Sequence, residues 1–245
     1  SDVPGEITAP TQPFTVKPPP LARMSISEAE LSDITPEHAA YCRALVRDND
    51  MVLGGPYLPP TYKRPMVFVP GQMSALYGGA FDPTLGYYIV NVHTLSQINR
   101  IEDDGEGFFI NRGNARFWNA SERLPCHGGS WGDLVAVDVN TGEIAWQVRL
   151  GVTDSLPPDR QRTGRPSVGG PITTAGGLTF VAGTDDARLR AFESRSGREL
   201  WAARLPASAH TIPTTYAANG VQYVAIVATG GSNLGSPIES DSLIV

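Results

Sequence analysis

Cysteine is scarce in this sequence: Cys42 and Cys126 are the whole supply in 245 residues. The sequence shows no CxxC pair, no Cys/His spacing read as a metal site, and no CxxCH motif for a c-type haem. On the residues alone the pair reads equally as two buried thiols or as a disulfide formed in an oxidising compartment. Positive charge is short as well. The 19 Lys and Arg against 25 Asp and Glu leave a net charge of −6, without the basic face that nucleic acid or an anionic membrane surface demands. No stretch approaches the ~20 apolar residues of a membrane-spanning helix. A signal peptide is missing too, and the chain opens on Ser1-Asp2-Val3 instead of Met, so a preceding segment is expected to have been removed or to lie on another chain. The other end, Ser242-Leu243-Ile244-Val245, reads as a strand stopped partway.

What is abundant is Gly (26) and Pro (21), beside 41% hydrophobic and 18% charged residues. That balance excludes a disordered or fibrous chain and suits many short strands joined by tight turns, with length enough for one large all-β domain. Residues 1–23 carry Pro4, Pro10, Pro13 and Pro18-Pro19-Pro20 and are expected to lie extended on a surface, pinned by Phe14, Val16 and Leu21. Residues 24–65 hold the helical insertion. Ser25-Ile26-Ser27-Glu28 resembles a capping box, and Thr35-Pro36 starts a second helix through about Val46, with Ala40, Leu45 and Val46 on its buried side. Strands are expected from Met66 onward, at 65–70 and 86–91, with 99–130 as a long loop.

An internal repeat decides the fold. Residues 134–146 (LVAVDVNTGEIAW) and 189–201 (LRAFESRSGRELW) share one scheme: an alternating strand, an acidic residue, a Ser/Thr-Gly turn, and a second strand ending in Trp. Trp146 and Trp201 stand 55 residues apart, a period suited to a four-stranded blade. Asp138 and Glu193 are placed to bond turn amides, Gly142 and Gly197 to supply positive φ, and the tryptophans to fill the space between sheets. Two copies cannot bury their faces alone, so 66–245 is predicted to be blades of a radial array.

The spacing Ala136-x-Asp138-x-x-Thr141-Gly142-Glu143-x-x-Trp146 resembles the tryptophan-docking motif of dehydrogenases that use pyrroloquinoline quinone (PQQ), with a looser copy from Ala191 to Trp201. The segments Pro10–Phe14, Lys17–Pro20, Leu124–Cys126, Gly169–Gly176, Leu205–Ala207, Pro213–Tyr216 and Asn219–Val224 are similar, in order, to the glucose/quinate-type branch. The resemblance implies an all-β, eight-bladed propeller of which this chain supplies the C-terminal three to four blades. It implies oxidation of an alcohol, polyol, sugar or cyclic alcohol in a periplasm-like space, with electrons passed to a quinone or cytochrome. PQQ and Ca²⁺ or Mg²⁺ are the implied cofactors. The catalytic Asp and metal ligands precede the matched region, so an N-terminal propeller chain is the expected partner, and membrane association would come through it.

Residue by residue, the resemblance makes Asn91 a hydrogen-bonding contact to PQQ and puts Gly230, Gly231 and Ser232 on the loop facing cofactor or substrate. That loop departs from the family by reading Gly-Ser-Asn where relatives carry Trp or His, which leaves the substrate open. Ser167 and Val168 stand where relatives place an aromatic over the ring. His93 is a weaker candidate for a substrate channel and His127 for the site; His210 reads as structural. Asp185-Asp186 reads as turn acids, not as a metal site. Cysteines near both positions in that branch favour the disulfide. A non-catalytic propeller scaffold, or a relative without PQQ, is the rival reading.

Overall fold

A computed structural model describes residues 2–71, 78–231, 234 and 236–245, and the chain folds as two units. One comprises Ser1–Thr15, Ala22–Gln72 and Thr94–Gly129; the other comprises Val16–Leu21, Met73–His93 and Ser130–Val245. Besides the helix α1 (Pro36–Asp48), the strands in the first half are β1 (Val52–Leu53), β2 (Met66–Phe68), β3 (Gly79–Asp82), β4 (Tyr87–His93), β5 (Gln97–Asp103), β6 (Phe109–Arg116), β7 (Trp118–Asn119) and β8 (Leu124–Pro125). There follow β9 (Gly132–Asp138), β10 (Glu143–Arg149), β11 (Ile172–Thr173), β12 (Leu178–Val181), β13 (Arg188–Glu193), β14 (Glu199–Arg204), β15 (Thr214–Ala218), β16 (Val221–Gly231) and β17 (Ser236–Ile244).

In the first unit, Thr35 caps α1 by accepting the His38 N–H at 3.2 Å, with Pro36 at the first helical position. The capping box stands two residues later than expected. Glu30 accepts from the Ser27 N–H at 2.9 Å and from its hydroxyl at 2.8 Å, around a single 3₁₀ turn. Helix α1 buries His38, Ala39, Cys42 and Val46, while Ala40 is exposed. The face is set by Cys42, which is disulfide-bonded to Cys126 in the core formed with Ile26, Leu31, Val67 and Phe117. Residues 99–130, expected as a long loop, hold most of β5 and all of β6 to β8; β5 and β6 join β1 and β2 in one four-stranded sheet. Their polar sequence hid them. Arg100 and Glu102 pair along the half-buried β5, and Arg112 of β6 reaches Glu102 across the strands, so no apolar alternation is needed.

The second unit is built of antiparallel sheets with blade topology: β3-β4-β9-β10, then β11-β12-β13-β14, then the three strands β15-β16-β17. Central strands β4 and β9 are buried along most of their length, on both faces, which is why they read as unbroken apolar runs. Ile89, Leu134, Ala136 and Leu150 pack with Val181 and Phe192 between the first two blades. Strands β4 and β9 pair from Tyr87↔Asp138 to His93↔Gly132 although residues 94–131 separate them in sequence. Residues 66–71 and 94–129 fall in the first unit.

Both repeats are β-hairpins, β9–β10 and β13–β14. Asp138 accepts the Asn140 N–H at 2.9 Å, Gly142 and Gly197 share a φ of 72°, and Trp146 donates its indole N–H to the Ser194 carbonyl of the next blade at 3.0 Å. On the preceding blade the matching turn is covered by the proline-rich segment instead. The Lys17 stem lies 3.3 Å from where a Gly142 Cβ would sit, Lys17 pairs with Glu143 at 2.5 Å, and Leu21 packs against Val90, Val92, Val135 and Val137.

Candidate functional site

Asn91 occupies the buried stretch of β4, opposite Leu134 of β9. Its position is fixed by period-2 alternation: Ile89 turns into the interblade core, and two residues on the Asn91 amide donates to the Ser167 hydroxyl at 2.9 Å. Ser167, fully buried, bridges to Thr184 just past β12, and the Val168 N–H next to it donates to the Gly183 carbonyl at 3.0 Å. The predicted Asn91 and the Ser167–Val168 pair are therefore brought together.

The glycines lie at the far end of β16. Gly230 (φ 68°) and Gly231 (φ 61°) form consecutive irregularities in the pairing with β17. No other residue fits Gly230, because a Cβ there would fall 1.6 Å from the Ile238 carbonyl oxygen. Its N–H donates to the Ser208 carbonyl at 2.8 Å. For Gly231, by contrast, the nearest atom among the described residues to where its Cβ would be is Glu239 Oε1 at 3.8 Å. Ser232 lies outside the described residues.

A junction missed in the sequence ties these two places together. The Gly183 carbonyl, which accepts from Val168, also faces His210 Nδ1 at 3.2 Å, and His210 Nε2 contacts the Ser236 hydroxyl at 2.6 Å. Ser236 is the register partner of Gly231. His210 is thus buried, and its place is between the Asn91–Ser167 arm and the Gly231 turn. The available signal was glycine: a Cβ on Gly183 would lie 2.2 Å from the Gly169 carbonyl oxygen, so the backbones touch where the bridge is made.

The acidic pair beside it is committed elsewhere. Asp185 takes a bidentate fork from Arg165 at 2.7 and 2.6 Å, with both side chains buried, and Asp186 pairs with Arg190 and accepts the Val152 N–H. Burial opposes the Arg165 charge, and the Asp185 and Asp186 carboxylates outweigh it, holding its pKa above the ordinary value. His93 is buried opposite Gly132 at the end of β4. His127, in the other unit, sits against Thr94 Oγ1 at 3.2 Å. Among the described residues the one close grouping of metal-type ligands is His38, Cys42 and Cys126, whose sulfurs are joined to each other and so offer no thiolate.

Residues 1–224 match the family described as PQQ: glucose/ethanol/alcohol dehydrogenase, β-propeller domain. Quinate/shikimate dehydrogenase (quinone) of Acinetobacter baylyi is 32% identical over 100% of this chain and 34% of its own length. Quinoprotein glucose dehydrogenase of Escherichia coli is 31% identical over 95% of this chain and 32% of its own. The glycerol dehydrogenase large subunit of Gluconobacter thailandicus is 28% identical over 99% of this chain and 37% of its own. Among solved structures, quinohemoprotein alcohol dehydrogenase from Comamonas testosteroni superposes with a TM-score of 0.52 at 24% identity, covering 73% of this chain and 26% of that one, a likeness of fold. The chain spans about a third of the length of the curated relatives it matches.

Proposed function

The chain belongs to the PQQ-dependent glucose/ethanol/alcohol dehydrogenase β-propeller family, and on that premise we propose that it is part of an oxidoreductase acting on an alcohol, polyol, sugar or cyclic alcohol. The observation that carries this reading is the family match across residues 1–224. PQQ supplies the two-electron, hydride-accepting chemistry when bound, and a quinone or cytochrome takes the electrons onward. The relatives' names, quinate/shikimate, glucose and glycerol, support a polyhydroxylated or cyclic substrate.

Asn91, Gly230 and Gly231 are assigned to the cofactor wall. The fit rests on chemistry: a neutral buried amide and hydroxyl, Asn91 and Ser167, suit the carbonyl oxygens of a quinone. Asn91 orients, and the Gly231 turn shapes the edge. The catalytic Asp and the ligands of Ca²⁺ or Mg²⁺ are assigned to an N-terminal propeller chain. A periplasmic location, with membrane association through that partner, agrees with the Cys42–Cys126 bridge.

Native mass spectrometry of the purified protein, then denaturation and an absorbance scan, tests the proposal. A larger complex that releases PQQ, followed by turnover in an alcohol and sugar screen, is the expected result. A stable 26.2 kDa monomer with no quinone and no partner would overturn it in favour of a scaffold.

A further inference from the structure

We propose that His210 is a positioning residue that sets the Asn91–Ser167 arm and the Gly230–Gly231 turn in register, so that both edges of the cofactor wall are held by one buried bridge. This inference rests on the assignment of that wall to PQQ. Its observation is separate from the family match: one imidazole, itself buried, engaged at both nitrogens by groups belonging to the two arms.

The hydrogen bonds have one consistent direction. A carbonyl oxygen only accepts, so Nδ1 of a neutral His210 carries the proton and donates to Gly183 O. Nε2 is then the acceptor, and the Ser236 hydroxyl donates to it. Gly183 O has two lone pairs and two donors, His210 Nδ1–H and Val168 N–H. From Val168 the chain passes to Ser167 and so to the Asn91 amide; from Ser236 it passes by strand pairing to Gly231. Each link is buried or within a strand, where a lost partner leaves a polar group unsatisfied rather than hydrated. A second fixing point lies beside it, where Gly230 N–H donates to Ser208 O two residues before His210. Segment 208–210 therefore grips β16 through Gly230 and β17 through Ser236, and reaches back to Gly183 of the preceding blade.

The test uses the whole protein with its partner and compares Ser236→Ala, His210→Gln and the double variant. Equilibrium titration of the apo-protein with PQQ is one readout, and backbone hydrogen exchange at Gly230–Gly231 and at Ser167–Val168 is the other. Ser236→Ala removes only a hydroxyl and keeps the fold. It is expected to weaken PQQ binding roughly tenfold and to raise exchange at both segments, with the double variant no weaker than the weaker single. Affinity within twofold of wild type, faster exchange confined to the hairpin, or fully additive losses would each overturn the proposal. If wild-type protein takes up no PQQ, the proposed function fails independently. The bridge is then supported by faster exchange at Ser167–Val168 in Ser236→Ala and overturned by its absence.

Discussion

The six-membered ring of Trp146 covers the place where Gly197 would carry a side chain: a Cβ there would lie 2.5 Å from Cε3. Trp146 is fixed in that position by its indole N–H on Ser194 of the same turn, so docking is a lock between one blade's outer strand and the next blade's turn. Glycine is required twice over, by the positive φ and by the ring. The equivalent Gly142 has the same φ of 72°, but faces the flexible stem of Lys17 at 3.3 Å.

Comparing Gly142→Ala with Gly197→Ala therefore separates backbone strain from docking. Gly142→Ala is expected to cost about 1 kcal/mol, and Gly197→Ala about 1–3 kcal/mol more through overpacking. Urea unfolding of the two variants checks this. Equal losses would mean that the tryptophan contributes nothing beyond filling space.

Asn91→Ala in the whole protein is expected to lower PQQ affinity about tenfold. Asn91→Asp should do worse, because it places a carboxylate where only 3% of the residue is exposed. Titration of apo-protein with PQQ measures both. An Asn91→Asp variant that binds as tightly as wild type would remove Asn91 from the wall.

Replacing Cys42 and Cys126 together by alanine opens a bridge between residues 84 apart. Stability should fall by about 4.5 kcal/mol in the chain-entropy account. The loss is expected to be local. Hydrogen exchange should quicken in α1 and around Phe117–Cys126 before it does in β4 and β9, and a reducing agent should reproduce the pattern in wild type.

Asp154 gives a pH dependence with a definite sign. Hydrogen bonds from Arg188, at 2.8 and 3.0 Å, and then from Arg204, at 2.8 Å, outweigh partial burial and hold its pKa below the ordinary carboxylate value. A lowered folded pKa adds stability above the unfolded value of about 3.9, and that stability is lost as pH falls through the folded value. Asp154→Asn should therefore be less stable than wild type at neutral pH. The gap in urea midpoint should close on acidification from about pH 4; a gap constant down to acid pH would show that the carboxylate charge is not involved.

Legibility followed the range of the interactions. The repeat hairpins were readable because their turn chemistry is complete within a few residues: Asp138 bonds the amide of Asn140, and Gly142 closes the turn. Asn91 was reached only through a family likeness, since an asparagine in an apolar strand looks the same whether it ends the strand or faces a ligand. Ala40 was assigned to the buried side of α1 because periodicity gives a helix its stripe but not the neighbour it meets; Cys42, bridged to Cys126, settled that. Strands β5 and β6 escaped notice because charge pairs, Arg100–Glu102 within β5 and Arg112–Glu102 across to β6, and the half-burial of β5 replace the apolar alternation by which strands are recognised.

By itself the sequence determined the class of fold, the blade period, the family, and the turn built on Asp138–Gly142; in the second copy Glu193 takes the Ser196 hydroxyl instead of a turn amide. All of these depend on near neighbours or on a repeated pattern. Only the tertiary structure decided that β4 pairs with β9 across residues 94–131, that Asp185 and Asp186 are bound by arginines, and that Gly183, His210 and Ser236 join Asn91's arm to the Gly231 turn. The physical reason is that a strand's partner, an ion pair and a buried hydrogen bond are chosen by distance in space, which local propensity and spacing along the chain do not encode.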